Sequence, residues 1–384
     1  MKNRFFAGMA PVAVLSLSLS LFASSALADI TIGVTISSTG PGAALGIPLK
    51  NSVELWPAEV GGEKLKVIVL DDAGDPSVAT TNARRFVNDD KVDVIVGSAL
   101  TPASIAVAGV AGETSTPHLS CSPVPPTISK GKWTFVMPQD AGLIARNLFA
   151  KMKADGVKTV GYIGFSDSYG DLWMGQFKAI GEQYGLKVVA DERYARPDTS
   201  VSGQVLKLVA ARPDAVFVGA SGTGAALPQI GLRERGFAGK IYQTHGAVTF
   251  DFLRIAGKAA DNTIFASGPA MAPEALPDTA ETKAEGMAYV TAYEKRFGPG
   301  TRTQFGPHIN DAMAILKKAI PVALKKAKPG TPEFRAALRD AIETGGPFPA
   351  SQGVFNFKAD DHLGLDDRAV VLFTAKNGKF EITK

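Results

Sequence analysis

The feature that most constrains this chain is an alternation of short apolar, β-branched runs with segments of helical period, run through twice. Residues 29–36, 65–70 and 92–96 are rich in Ile, Val and Leu. Runs of this kind suit strands buried on both faces, as in a parallel sheet covered by helices. Helical segments over 47–60, 77–88 and 102–113 separate and follow them, and a short strand at 118–120 leads into a Ser/Pro-rich loop over 121–127. The second cycle sets strands at 159–165, 186–190, 215–218, 240–244 and 263–266 among helices at 141–155, 171–184, 200–211 and 225–235. Helices over 279–297, 307–326 and 331–344 follow, and the tail returns to β character at 353–357 and 369–373. Two α/β cycles of similar size predict two similar lobes.

The first 28 residues read as a leader rather than part of the fold. Lys2 and Arg4 precede an apolar stretch over 9–23, and Ala26-Leu27-Ala28 matches the small-x-small cleavage pattern, so residues 1–28 are expected to be a signal peptide cleaved after Ala28. What remains of the 384 residues is too long for one ordinary core, which again argues for two domains. The single cysteine, Cys121, excludes an internal disulfide and lies far from the cleavage site. An exported chain without disulfides fits a bacterial periplasm if its cores are large. Of the formal net charge of +4, two units belong to the leader, and no dense basic block follows, so nucleic acid is not the expected partner.

Enzymatic signatures are missing. Gly219-Ala220-Ser221-Gly222 is not a nucleophile elbow, the first strand-turn-helix carries no phosphate-binding glycine pattern, and four scattered histidines with one cysteine offer no metal-ligand spacing. Asp71, Asp72 and Asp75 read as turn and cap residues. No catalysis, cofactor or metal is expected. What recurs is a small polar loop after a strand: 37–42, 98–101, 120–124, 166–170 and 221–224. Loops at strand carboxyl ends in two lobes can line one cleft, a common small-molecule site. In the turn that follows Val94-Ile95-Val96-Gly97, Thr101-Pro102 reads as a helix start with Thr101 as its cap, a place suited to a carboxylate.

Ile32-Gly33-Val34 with Thr39-Gly40-Pro41, then Leu70-Asp71-Asp72-Ala73-Gly74-Asp75-Pro76, Val96-Gly97 with its turn, and Asp167-Ser168-Tyr169-Gly170 appear in that order after a leader. In these marks the chain resembles the leucine/isoleucine/valine-binding (type I) periplasmic substrate-binding proteins of ABC transporters. The resemblance implies an α/β fold of two Rossmann-like lobes with parallel-rich sheets and three hinge crossings. It places lobe 1 at 29–139 plus 270–346 and lobe 2 at 140–269 plus 347–384, with crossings near Gln139, Pro269 and Pro347. It also implies a monomeric receptor that serves an inner-membrane permease and ATPase.

Carried over by position, Thr101 (with Ser98 in the same turn) is expected to hold a ligand carboxylate. Ser122 and Val124 fall on the second carboxylate loop, where Val124 replaces the usual hydroxyl. Tyr169 closes from the opposite lobe, Gly222 and Thr223 stand where amino-acid receptors often place an aromatic or an acid, and Leu45 and Phe305 fall at side-chain pocket positions. His245 stands where those receptors supply the acid that pairs with an α-ammonium. Burying an ammonium without an anion costs several kcal/mol. The expected ligand is therefore a carboxylate without an amine, of the benzoate or hydroxybenzoate kind. A branched-chain or other amino-acid receptor is the alternative, with a ligand-sensing regulator or an enzyme on the same fold more remote.

Overall fold

The computed structural model describes Met1 and residues 29–383, so the expected leader lies, apart from Met1, outside the described residues. In the first lobe the strands are β1 (Ile30–Ile36), β2 (Glu59–Val60), β3 (Glu63–Asp71), β4 (Val94–Gly97), β5 (His118–Ser120) and β6 (Thr134–Val136). They form one sheet in the order β2-β3-β1-β4-β5-β6. β1 pairs in parallel with β3 and β4, and all seven of its residues are buried. Helices α1 (Ala43–Val53), α2 (Pro76–Asn88) and α3 (Thr101–Glu113) connect these strands, and the one-turn α4 (Pro126–Ser129) precedes β6.

The second lobe begins with α5 (Ala141–Ala154) and alternates β7 (Thr159–Phe165), α6 (Ser168–Ile180), β8 (Lys187–Tyr194), α7 (Ser202–Ala210), β9 (Ala215–Gly219), α8 (Ala226–Glu234), β10 (Lys240–Gln243), α9 (Phe250–Ala256) and β11 (Ile264–Ser267). The chain then returns through α10 (Lys283–Phe297), α11 (Gly306–Leu324) and α12 (Pro332–Thr344). A short hairpin follows, β12 (Phe348–Pro349) with β13 (Val354–Phe355). The tail, β14 (Val371–Lys376) and β15 (Lys379–Ile382), completes the second sheet in the order β15-β14-β11-β10-β9-β7-β8. This is the expected pair of α/β lobes with parallel-rich sheets.

Two separate apolar cores define the lobes. One gathers Ile30 to Met137 and Phe305 to Phe357; the other gathers Ala141 to Met271 with Phe373 and Ala375. The chain crosses between Met137 and Ala141, again after Met271, and finally between Leu365 and Val370. The third crossing therefore falls well beyond the expected Pro347. Phe348, Ala350, Phe355 and Phe357 are buried in the first core. Buried Asp311 on α11 holds the intervening loop, accepting from Ser351 N (3.0 Å), Ser351 Oγ (2.6 Å) and Gln352 N (2.8 Å). At the crossings themselves, Gln139 Nε2 donates to the Ala369 carbonyl at 2.9 Å, tying the first strand of the hinge to the third.

Several boundaries move for identifiable reasons. The helix expected over 47–60 is α1, which stops at Val53, because Gly61 and Gly62 at φ +66° and +86° form a two-residue turn that pairs β2 with β3. Thr331 caps α12 as expected, accepting from Phe334 N. Thr101 does not cap α3: Leu100 is the cap residue and no side chain closes that end. Asp71, Asp72 and Asp75 do the work of turns and caps. Asp72 accepts from Thr35, Ser37 and Gly74, Asp71 from Ser38, Thr39 and Ala73, and Asp75 caps α2.

His118 shows how tightly the first lobe is built beneath the β4–α3 turn. Its Nε2 meets the Gly97 carbonyl at 2.5 Å, so Nε2 carries the proton and Nδ1 accepts from Thr134 Oγ1 at 3.2 Å. Burial, partly offset by the Gly97 carbonyl, pushes its pKa from 6.5 down to about 4. A base depressed in the folded state contributes stability above its unfolded pKa, and that stability is lost as pH falls from about 6.5 towards 4. At 1.36 kcal/mol per unit the loss is about 3 kcal/mol. In denaturant unfolding between pH 4 and 7, His118→Gln is expected to show a slope shallower by up to one proton than the parent. An unchanged slope would assign that proton elsewhere.

Candidate functional site

A small pocket lies between the lobes. The first lobe contributes Leu45 from α1, Ala99, Leu100 and Thr101 from the β4–α3 turn, Cys121 to Pro123 after β5, and Phe305 and His308 where α11 begins. The second contributes Tyr169 from the first turn of α6, Arg196 after β8, Ser221 after β9, and His245 with Gly246 after β10. Most of these follow the carboxyl ends of strands, where an α/β sheet leaves backbone ends free to meet a ligand.

Six of the ten expected site residues line this cavity: Leu45, Thr101, Ser122, Tyr169, His245 and Phe305. Ser98 is buried one step beneath it, with its N–H donating to Ser104 Oγ. Val124 is buried outside the lining. Thr223 is exposed and faces an outer groove together with Gly40, Pro41, Ala43 and Ala44. Gly222 meets the opposite lobe instead of the cavity: at φ +60°, a Cβ there would stand 2.7 Å from Leu45 Cδ1.

The hydroxyls expected to hold a carboxylate are already engaged. Thr101 Oγ1 donates to the Pro123 carbonyl at 2.8 Å. Ser122 Oγ donates to Ser104 Oγ at 2.9 Å, and Ser104 Oγ donates onward to the Ser98 carbonyl at 3.1 Å. Tyr169 is spent in the same way. Thr244 Oγ1 gives its proton to the Ala220 carbonyl (2.7 Å), so the Tyr169 hydroxyl, 2.9 Å away, donates to Thr244. Burial pushes that phenol up to about 12, and its ring serves as wall.

The unspent polar groups are three side chains, two of which the sequence did not single out. Arg196 Nε pairs with Asp167 at 2.6 Å, its Nη1 donates to Ser221 Oγ at 3.3 Å, and its plane stacks 4.2 Å over Phe165. Its Nη2 is buried with no partner. Asp167 is itself held at the start of α6 by Tyr169 N and Gly170 N, so its charge is shared with a helix N-terminus and Arg196 remains electropositive. His245 Nδ1 and both ring nitrogens of His308 are likewise buried and unpartnered. Burial pushes each imidazole down to about 3, and His245 adds to the cost of charging His308, so both are neutral. Among the described residues that line the cavity, none is acidic.

Comparison with known proteins bears on this arrangement. The profile of the family described as periplasmic binding protein matches residues 29–379. An extracellular ligand-binding receptor from Rhodopseudomonas palustris is 57% identical in sequence. It superposes with a TM-score of 0.91, over 93% of this chain and 99% of its own. The solute binding protein of an ABC transporter from the same species, in complex with benzoate, shares the fold at 20% identity and a TM-score of 0.78, over 92% and 95%. Leu/Ile/Val-binding protein homolog 3 of Brucella melitensis biotype 1 is 25% identical over 89% of this chain and 90% of its own length. With the family profile running through both lobes and a pocket lined by both, the chain belongs to the periplasmic binding proteins, the receptors that deliver small molecules to ABC transporters, and its relatives include those of the Leu/Ile/Val-binding type.

Proposed function

We propose that this protein is the exported receptor for a small aromatic carboxylate, which it presents to its cognate permease and ATPase after losing a leader at Ala28. The observation that carries the reading is the buried, unpartnered Nη2 of Arg196 in a cavity without an acidic side chain. An unmet buried donor costs about 1–3 kcal/mol, and a ligand carboxylate relieves that cost while gaining a charge-assisted bond. The open first turn of α3, whose end no side chain caps, adds backbone N–H groups and a favourable dipole from the other lobe. An α-ammonium has no such reception, because nothing acidic lines the cavity to pair with it. Leu45, Phe305 and Tyr169 supply apolar and aromatic wall, suited to a ring.

The names of relatives such as Leu/Ile/Val-binding protein homolog 3 support a branched-chain amino acid as the second reading. The benzoate complex of the distant R. palustris neighbour supports the first, in that the fold accommodates such an acid. A thermal-shift screen separates the two: aromatic acids are expected to raise the melting temperature, and leucine, isoleucine and valine are not. Stabilisation by leucine with none by aromatic acids would reverse the assignment.

Two variants address the mechanism by titration calorimetry. Arg196→Gln is expected to weaken binding of an aromatic acid by about 2–5 kcal/mol, as for other truncations of a buried charge partner. An unchanged affinity would remove Arg196 from the site. Gly222→Ala sets a methyl group against Leu45 of the facing lobe and resists closure, and at φ +60° it also strains the backbone, so a modest fall in the melting temperature of the free protein accompanies it. Because ligand binds the closed form better, affinity is expected to fall at least about tenfold. Tight binding by this variant would show that the Leu45–Gly222 contact does not control closure.

A further inference from the structure

From the three buried ring nitrogens that no protein group meets, we infer that His245 and His308 form a two-lobed clamp for a hydroxyl group on the ligand. They make hydroxylated aromatic acids the preferred substrates over their unsubstituted parents. The inference rests on the carboxylate reading above and concerns the other end of the molecule.

The two histidines come from opposite lobes, His308 from the first turn of α11 and His245 from the segment after β10, and both line the cavity. Their side chains are 1% and 2% exposed. His245 is fixed by packing, with its ring 5.6 Å from Trp173 and 6.5 Å from Tyr169, and His308 lies 6.1 Å edge-on to Phe305. Neither ring is oriented by a carboxylate. The Cys121 backbone lies close enough to favour the charged form of His308 slightly, yet neither His308 nitrogen makes a hydrogen bond. Rings held by packing with their polar edges unmet are expected to find partners in whatever fills the cavity.

The chemistry of that partner follows from the protonation state. A neutral imidazole offers one N–H donor and one lone pair. Two imidazoles brought to one pocket from opposite lobes are therefore satisfied by a group that donates to one and accepts from the other, which is what a hydroxyl does. A second carboxylate would accept only, and it would lie where no cation remains, because Arg196 is the only cationic side chain among the described residues lining the cavity. An ammonium could donate but would be buried against neutral rings without an anion. Water can occupy the position in the free protein, so the preference comes from exchanging a bound water for a tethered hydroxyl.

Because each lobe supplies one imidazole, the hydroxyl bridges them only in the closed form. The clamp thus ties recognition to closure, and an acid without a hydroxyl leaves two polar edges buried and unmet. Sites built to hydrogen-bond a hydroxyl reject analogues that lack it far more strongly than apolar pockets reject a missing methylene.

The test is calorimetric binding of matched acids to the full exported protein: benzoate with 3- and 4-hydroxybenzoate, their methyl ethers, and the same pairs with one or two carbons between ring and carboxylate. At the best-fitting spacing, the hydroxylated acid is expected to bind about tenfold or more tightly than its parent and its methyl ether. His308→Phe is expected to reduce that preference to less than about threefold, whatever it does to the affinity for the parent acid. His245→Phe should do the same, which guards against either variant failing to fold. Equal binding of parent and hydroxylated acid by the unaltered protein would overturn the clamp and leave the carboxylate reading standing. So would loss of both acids in equal measure in the two variants. Failure of every aromatic acid to bind would overturn both.

Discussion

A polar group buried without a partner costs free energy, and the interlobe surface of this protein is organised around which of its donors are already committed. On the first lobe, Thr101, Ser122 and Ser104 spend their hydroxyl protons on Pro123, Ser104 and Ser98. On the second, Tyr169 and Thr244 pass theirs in sequence to the Ala220 carbonyl. These chains fix the loops that follow the strands, and they turn apolar faces and ring faces into the cavity. The few polar groups outside the chains are one guanidinium NH₂ and the edges of two imidazoles.

The rest of the fold serves that arrangement. Each lobe has its own buried core, so each holds its part of the site rigidly whether or not the other is near. Below the β4–α3 turn, His118 meets Gly97 and Thr134, while Asp71 and Asp72 gather the Ser37–Thr39 loop, so the first-lobe wall is anchored from beneath. In the second lobe, Asp167 joins three tasks: it caps α6, orients Tyr169 by its backbone, and holds Arg196. A single carboxylate thus positions both an aromatic wall and the cavity's cation.

How much of this was legible in the sequence depended on how local each feature is. The double α/β cycle could be read directly, because apolar strand runs and helical periods are written within a few residues. So could the roles of Asp75 and Thr331 as caps. The β2–β3 hairpin was hidden because Gly61-Gly62 also reads as a helix stop, and the third crossing was misplaced because only tertiary packing puts Phe348 to Phe357 in the first core. Position within known motifs brought Leu45, Thr101, Ser122, Tyr169, His245 and Phe305 to the cavity, but it credited Thr101 and Ser122 with hydroxyls that the folded chain uses internally. Arg196 and His308 escaped notice for a plain reason. A lone Arg in an Ala-Arg-Pro-Asp loop and a lone His at a helix start have no signature, and their importance lies in the partners they lack.

The two-lobed lining of the pocket has a kinetic consequence. With its lining residues contributed by both lobes, a bound molecule is released when the lobes part. Residence time then depends on how often the three crossings let the lobes part as well as on the individual contacts. Two ligands of equal affinity can leave at the same rate if closure dominates both. A transporter that receives such a cargo does not have to outbid the receptor for it; it has only to pry the lobes open, and the force it needs is set at the three crossings.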